Sequence, residues 1–477
     1  MTTLVFVHGW SVTNTSTYGQ MPQQLQQQAA AAGLMLTLAD IWLSEYVSFD
    51  DAVTMADLVR GFDHALRDLH LLDASFACVT HSTGGPVVRE WLRAQRDQPG
   101  ACSTIRLSHL VMLAPANFGS ALAQLGKSVF SRLKSWFSGV EPGQRILDWL
   151  ELGSAASLSL NLDYIHSEDP LARGQFQFVL IGDRPDRALY DHLNSYTGED
   201  GSDGVVRIAA ANLNARHAVL SPHTATDSDS LVLNLSRGPR CAFKLIAGAS
   251  HSGDAHGIMA QAAPATVQAI LRCLSIRDAA GYSALCDAFD AENAARDANK
   301  VELEPAGPFA PRVHIHDPRS MLIVRLTDQA GEPLAGAGFL FTAGAQASAD
   351  LMPAGFMLDR QANSMQRTTI SLFLDYSLLA GDGRVADPRN NGNTLRPAVV
   401  SHGPYGASVQ PVDVSGLVHH ALAATRAGDD LFPMFGAHQT TVLDVVLSRK
   451  IHEGVFRLTQ NLVPQDFSKP VPGPAIS

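Results

Sequence analysis

Three short stretches hold residue types that could do chemistry together: THSTGG at 80–85, GSDGVV at 201–206 and ASHSG at 249–253. A serine hydroxyl is a poor nucleophile until a neighbouring base takes its proton, and an imidazole is poised near neutral pH for that work. An aspartate behind the imidazole fixes its tautomer and stabilises the imidazolium. Ser82 as nucleophile, His251 as base and Asp203 as orienting acid would therefore form an acyl-transfer triad. Each residue also has a plainer role. Serine is a favoured helix cap and Asp-Gly a common turn pair. Asp200, Asp191 and Asp183 compete with Asp203, and His256 with His251.

The triad needs strand ends to carry it. Apolar, β-rich runs at Thr3–Val7, Leu34–Leu38, Phe76–Val79, Leu107–Leu113, Phe176–Ile181, Val205–Ile208 and Phe243–Ile246 read as strands. Between them lie helical patterns, among them 20–32, 51–70 and the stretch after HSTGG, and a helix near 262–275 ends the series. This alternation predicts a mainly parallel sheet covered on both faces over residues 1–275. Residues 276–312, with three prolines in EPAGPFAPR, read as a linker. Residues 313–477 read as a mostly β domain, in which MLIVRLTD and FLFTAG look like two strands joined by a glycine-containing connection.

The order serine, acid, histidine at strand ends resembles the α/β-hydrolase fold. That resemblance makes the N–H groups of Trp10, in FVHGW, and of Thr83 the oxyanion-hole donors. Thr80 stands where G-x-S-x-G has its first glycine. THSTGG in place of GHSxGG, the GSDGVV loop, the ASHSG histidine and the separate C-terminal domain together resemble the PlaB-type bacterial phospholipases A. There Thr80 is no departure. The resemblance implies a Ser82, Asp203, His251 triad with phospholipase A and lysophospholipase A activity, and no cofactor required for catalysis. It further implies peripheral association with the bacterial envelope, homo-oligomers, and a C-terminal domain needed for activity.

A lipid substrate has one independent pointer. KSVFSRLKSWFSG (127–139) sets Val129, Phe130, Leu133, Trp136 and Phe137 at helical spacing among Lys127, Arg132 and Lys134. Such a helix suits an anionic bilayer surface or a lid, although an ordinary core helix has the same pattern. RILDWLEL (145–152) shares the ambiguity, and 120–172 is the expected lid insertion. A soluble carboxylesterase or triacylglycerol lipase would carry the same triad, and a catalytically silent docking module could keep the fold.

Composition bounds the rest. A net charge of −11 disfavours nucleic acid. The five cysteines are scattered without metal spacing, and His314-x-His316 and His419-His420 lack further ligands, so no metal site is expected. The opening MTTLVFVHGW has neither a basic n-region nor a small-residue cleavage site, and no apolar run reaches about 18 residues. The sequence thus predicts no signal peptide and no transmembrane helix.

Overall fold

Leu4 to Val7 form an unbroken apolar run and are completely buried, as in a strand covered on both faces. The computed structural model describes residues 2–8, 18–97, 105–125, 143–167, 169–184, 200–224, 228–252, 256–260, 263–306, 309–389, 393–410, 418–420 and 422–451. Strands β1 (Thr2–His8), β2 (Leu36–Trp42), β3 (Phe76–His81), β4 (Leu107–Leu113) and β5 (Phe176–Gly182) come first. They alternate with helices α1 (Met21–Ala31), α2 (Met55–Asp68), α3 (Gly84–Arg96), α4 (Gln144–Leu150) and α5 (Ala155–His166). A short helix, α6 (Ile208–Ala211), leads into β6 (Arg216–Pro222) and β7 (Ser230–Arg237), which leave this series for a second sheet. The chain returns with β8 (Ala242–Ile246), followed by α7 (Pro264–Leu274) and α8 (Ala279–Ala298).

The first sheet runs in the order β2-β1-β3-β4-β5-β8, every pair parallel. This is the doubly covered α/β-hydrolase architecture that the alternation predicts. Its last strand would expose a free edge. The Asn293 side chain of α8 closes it, accepting from Leu245 N (2.9 Å) and donating to Phe243 O (2.8 Å). Residues 276–312 are therefore not a bare linker. They hold α8 and an antiparallel hairpin of β9 (Val301–Ala306) and β10 (Phe309–Ile315).

The remaining strands are β11 (Arg319–Asp328), β12 (Gly338–Ala343), β13 (Met357–Ala362), β14 (Thr369–Asp375), β15 (Tyr405–Gln410), β16 (Ala423–Thr425) and β17 (Gln439–Leu447). With β6 and β7 they build a nine-stranded sheet in the order β12-β15-β16-β7-β6-β17-β11-β14-β13. MLIVRLTD and FLFTAG form β11 and β12, the two strands expected there; β11 lies between β17 and β14 while β12 takes β15. One expectation changes: the mostly β part is not confined to 313–477, since β6 and β7 occupy the middle of its sheet.

Strand alternation explains how the two halves join. Met321, Ile323, Phe373 and Val442 point into the core beneath the parallel sheet. Their neighbours Leu322, Val324, Leu372, Leu374 and Leu443 point the other way, into a second core. One face of the nine-stranded sheet thus completes the core of the catalytic half.

Candidate active site

Ser82 directly follows β3, and its φ of 54° is positive. Only glycine takes this conformation cheaply, and strain of this kind gathers at functional sites. The sharp turn is held by Ser82 N donating to Leu113 O (3.0 Å) and by Gly85 N donating to Ser82 O (3.2 Å). It works because α3 packs close behind it: a Cβ on Gly85 would meet the Pro115 side chain at 2.9 Å. Thr80 is fully buried beneath the turn.

The acid loop follows β5. The expected strand at Val205–Ile208 is instead a turn entering α6. Val205 and Val206 are buried, but their N–H groups go to Asp203 Oδ1, at 2.9 and 2.8 Å, rather than to a neighbouring strand. Asp203 itself has no exposed surface. The His251 loop follows β8 and is tied to the acid loop, His251 N donating to Asp203 O at 3.0 Å.

These loops converge. Asp203 Oδ2 accepts from His251 Nδ1 at 2.8 Å, and Ser82 Oγ lies 3.1 Å from His251 Nε2. A carboxylate can only accept, so the proton sits on Nδ1 and Nε2 is left to accept from the serine hydroxyl. Asp183 is occupied elsewhere. It accepts from Gly248 N at 2.7 Å and pairs with Arg296, steadying the histidine loop from below. His256 is exposed, and its carbonyl accepts from Ser250 N.

Thr83 is buried at the N-terminal end of α3, where amide groups have no intrahelical partner and favour negative charge. Trp10 lies outside the described residues, as do Asp191 and the lid candidates Phe130, Leu133, Trp136 and Phe137. The other lid piece, 145–152, falls largely in α4, whose Ile146, Leu147, Trp149 and Leu150 are buried in the core. Among the described residues no helix is long and apolar enough to cross a membrane, and no group of three His, Cys, Asp or Glu could hold a metal ion.

Two residues escaped the sequence reading. His81, beside the serine, is buried and donates from Nε2 to His251 O at 3.0 Å, its ring 4.8 Å from the His251 ring. Burial, with the neighbouring His251 charge, pushes its pKa well below the usual histidine range. It therefore adds no like charge beside an imidazolium forming on His251. His81→Phe keeps a ring but leaves the His251 carbonyl unpaired, which costs about 1–3 kcal/mol. The expected outcome is a kcat lowered about tenfold at unchanged KM. His81→Gln, which keeps a donor, should recover part of that loss; steady-state kinetics on a soluble ester would measure both.

The second is Arg207, four residues after the acid and only 1% exposed. It donates to Asp359 Oδ2 (2.5 Å) on β13, and its guanidinium stacks 4.2 Å over the Phe373 ring on β14. Thr440 Oγ1 donates to Ala209 O and Asn212 Nδ2 to His438 O, so the second sheet grips both ends of α6. Asp359→Ala takes a carboxylate partner from a buried guanidinium, so it should destabilise the protein by about 3 kcal/mol. The check is a lowered Tm in a thermal melt.

The chain is similar over its whole length to a protein of known structure. The structure superposes on phospholipase PlaB from Legionella pneumophila with a TM-score of 0.85 and 38% identity, over 100% of this chain and 99% of that one. The chain belongs to the PlaB phospholipase family. A structure of the Legionella pneumophila phospholipase PlaB in complex with thio-NAD matches equally well, at a TM-score of 0.84 and 37% identity over 100% of each chain. No family model and no curated protein sequence matches the chain. The PlaB likeness spans both halves, so the nine-stranded sheet is part of the family's architecture.

Proposed function

We propose that this chain is a serine hydrolase that releases fatty acids from glycerophospholipids and lysophospholipids. The observation that carries this is the Ser82–His251–Asp203 relay, with links of 3.1 and 2.8 Å, at the strand ends of a PlaB-family chain. Ser82 Oγ attacks the ester carbonyl while His251 Nε2 takes its proton. The oxyanion is held by the Thr83 and Trp10 N–H groups. His251 then protonates the departing alcohol, a lysophospholipid or its deacylated headgroup. Water, deprotonated by the same imidazole, hydrolyses the acyl-Ser82 ester and frees the fatty acid. Each step uses the chain's own groups and water.

With the family we carry over peripheral association with the bacterial envelope and a homo-oligomeric state. The test is a pair of assays on the wild type, long-chain phospholipid vesicles against short-chain soluble esters, with a serine-reactive phosphonate as active-site label. We expect turnover of the vesicles and labelling of Ser82 alone. Turnover of soluble esters only would make the chain a carboxylesterase. Absence of labelling would remove the serine mechanism.

A further inference from the structure

Ser120, on the loop after β4, is 3% exposed and stands outside the triad, yet its hydroxyl is bonded to the loop that carries the acid. Ser120 Oγ donates to Val205 O at 2.5 Å. A carbonyl can only accept, so the single hydroxyl proton lies on this bond, and an oxygen lone pair is left to accept from Leu122 N at 3.2 Å. Val205 O belongs to the same peptide group as Val206 N, whose N–H donates to Asp203 Oδ1 at 2.8 Å. The C=O and N–H of a trans peptide point to opposite sides within one plane. The Ser120 hydroxyl and the Asp203 carboxylate therefore face each other across a single peptide. Asp203 Oδ2 carries the line on to His251 Nδ1 at 2.8 Å.

A hydrogen bond accepted at the carbonyl polarises the peptide and strengthens its N–H as a donor. It also fixes the plane of that peptide. This matters because Asp203 lies between Gly201 and Gly204, at φ of 84° and 98°, where the backbone has little steric preference of its own. Ser120 is itself held firmly. Its N–H donates to Leu150 O (2.7 Å) at the end of α4, an approach open only to a chain with glycine at 119, since a Cβ there would meet Leu150 O at 2.3 Å. The next residue, Glu151, is buried, and its carboxylate accepts from Ser364 N (2.7 Å) and Ser364 Oγ in the connection between β13 and β14.

We infer that Ser120 is a positioning residue for the ester hydrolysis proposed above: through the Val205–Val206 peptide it fixes the Asp203 carboxylate against His251. It acts on the acid and not on the substrate, so its loss shows in kcat and not in KM.

The test is steady-state kinetics on a short-chain soluble ester, normalised to intact sites counted by exhaustive phosphonate labelling. Ser120→Ala is expected to lower kcat about tenfold, the worth of one hydrogen bond, at unchanged KM. Should Ser120→Ala not fold, Ser120→Cys decides, since a thiol keeps the shape and donates only weakly. In an Asp203→Ala background no carboxylate is left to hold, and adding Ser120→Ala is expected to cost nothing further. A tenfold loss in both backgrounds, or a rise in KM in place of the fall in kcat, would overturn the inference. An unchanged kcat in Ser120→Ala, with Asp203→Ala slow, would overturn it and spare the triad. Full turnover by Asp203→Ala would instead remove the acid assignment on which the inference rests.

Discussion

His251→Ala should lower fatty-acid release by about 10⁶-fold while leaving Tm within a few degrees of wild type. His251 Nε2 lies 3.1 Å from Ser82 Oγ, and its loss removes the base that takes the hydroxyl proton. The imidazole also returns the proton to the leaving alcohol, and both half-reactions fail together. Because serine and histidine act as one unit, the double variant Ser82→Ala/His251→Ala should be no slower than either single one. Losses that multiply would mean that the two act independently, against the relay. Initial rates of the three variants under identical conditions make the comparison.

Asp203→Asn is expected to cost about 10⁴-fold in kcat with the fold intact. Oδ1 accepts from Val205 N and Val206 N, and an asparagine can keep both bonds only by placing its carbonyl oxygen there. Its NH₂ then faces His251 Nδ1, where the carboxylate Oδ2 had been. The amide can only donate at that point, so the imidazole must accept at Nδ1 and carry its proton on Nε2. That tautomer cannot take the serine's proton. Undiminished turnover in this variant would hand the role to Asp200 or Asp191.

The parts of this site legible in sequence were those fixed by neighbours in the chain. Ser82 stands between a buried strand and a helix, and His251 follows the last parallel strand, so local pattern sufficed for both. Asp203 was legible from its glycine-rich loop, but Val205–Ile208 looked like a strand because its valines are apolar and buried. What distinguishes it is that its amides serve a carboxylate, which no periodicity records. β6 and β7 were missed for a different reason. β7 is largely half-exposed, and both strands earn their place only by pairing with β16 and β17, some two hundred residues on. α8 looked like a linker because its purpose, closing the edge of β8 through Asn293, is a tertiary one. His81 and Arg207 carry no motif at all; one is defined by the histidine it supports and the other by a carboxylate 152 positions away.

The central claim is that Ser82 cleaves the acyl esters of phospholipids. Fatty-acid release from mixed phospholipid and lysophospholipid vesicles, measured side by side for wild type and Ser82→Ala, tests it most directly. The account predicts release by the wild type that falls to background in the variant. Equal release by both proteins, or none from vesicles by a wild type that still cleaves short-chain esters, would contradict it.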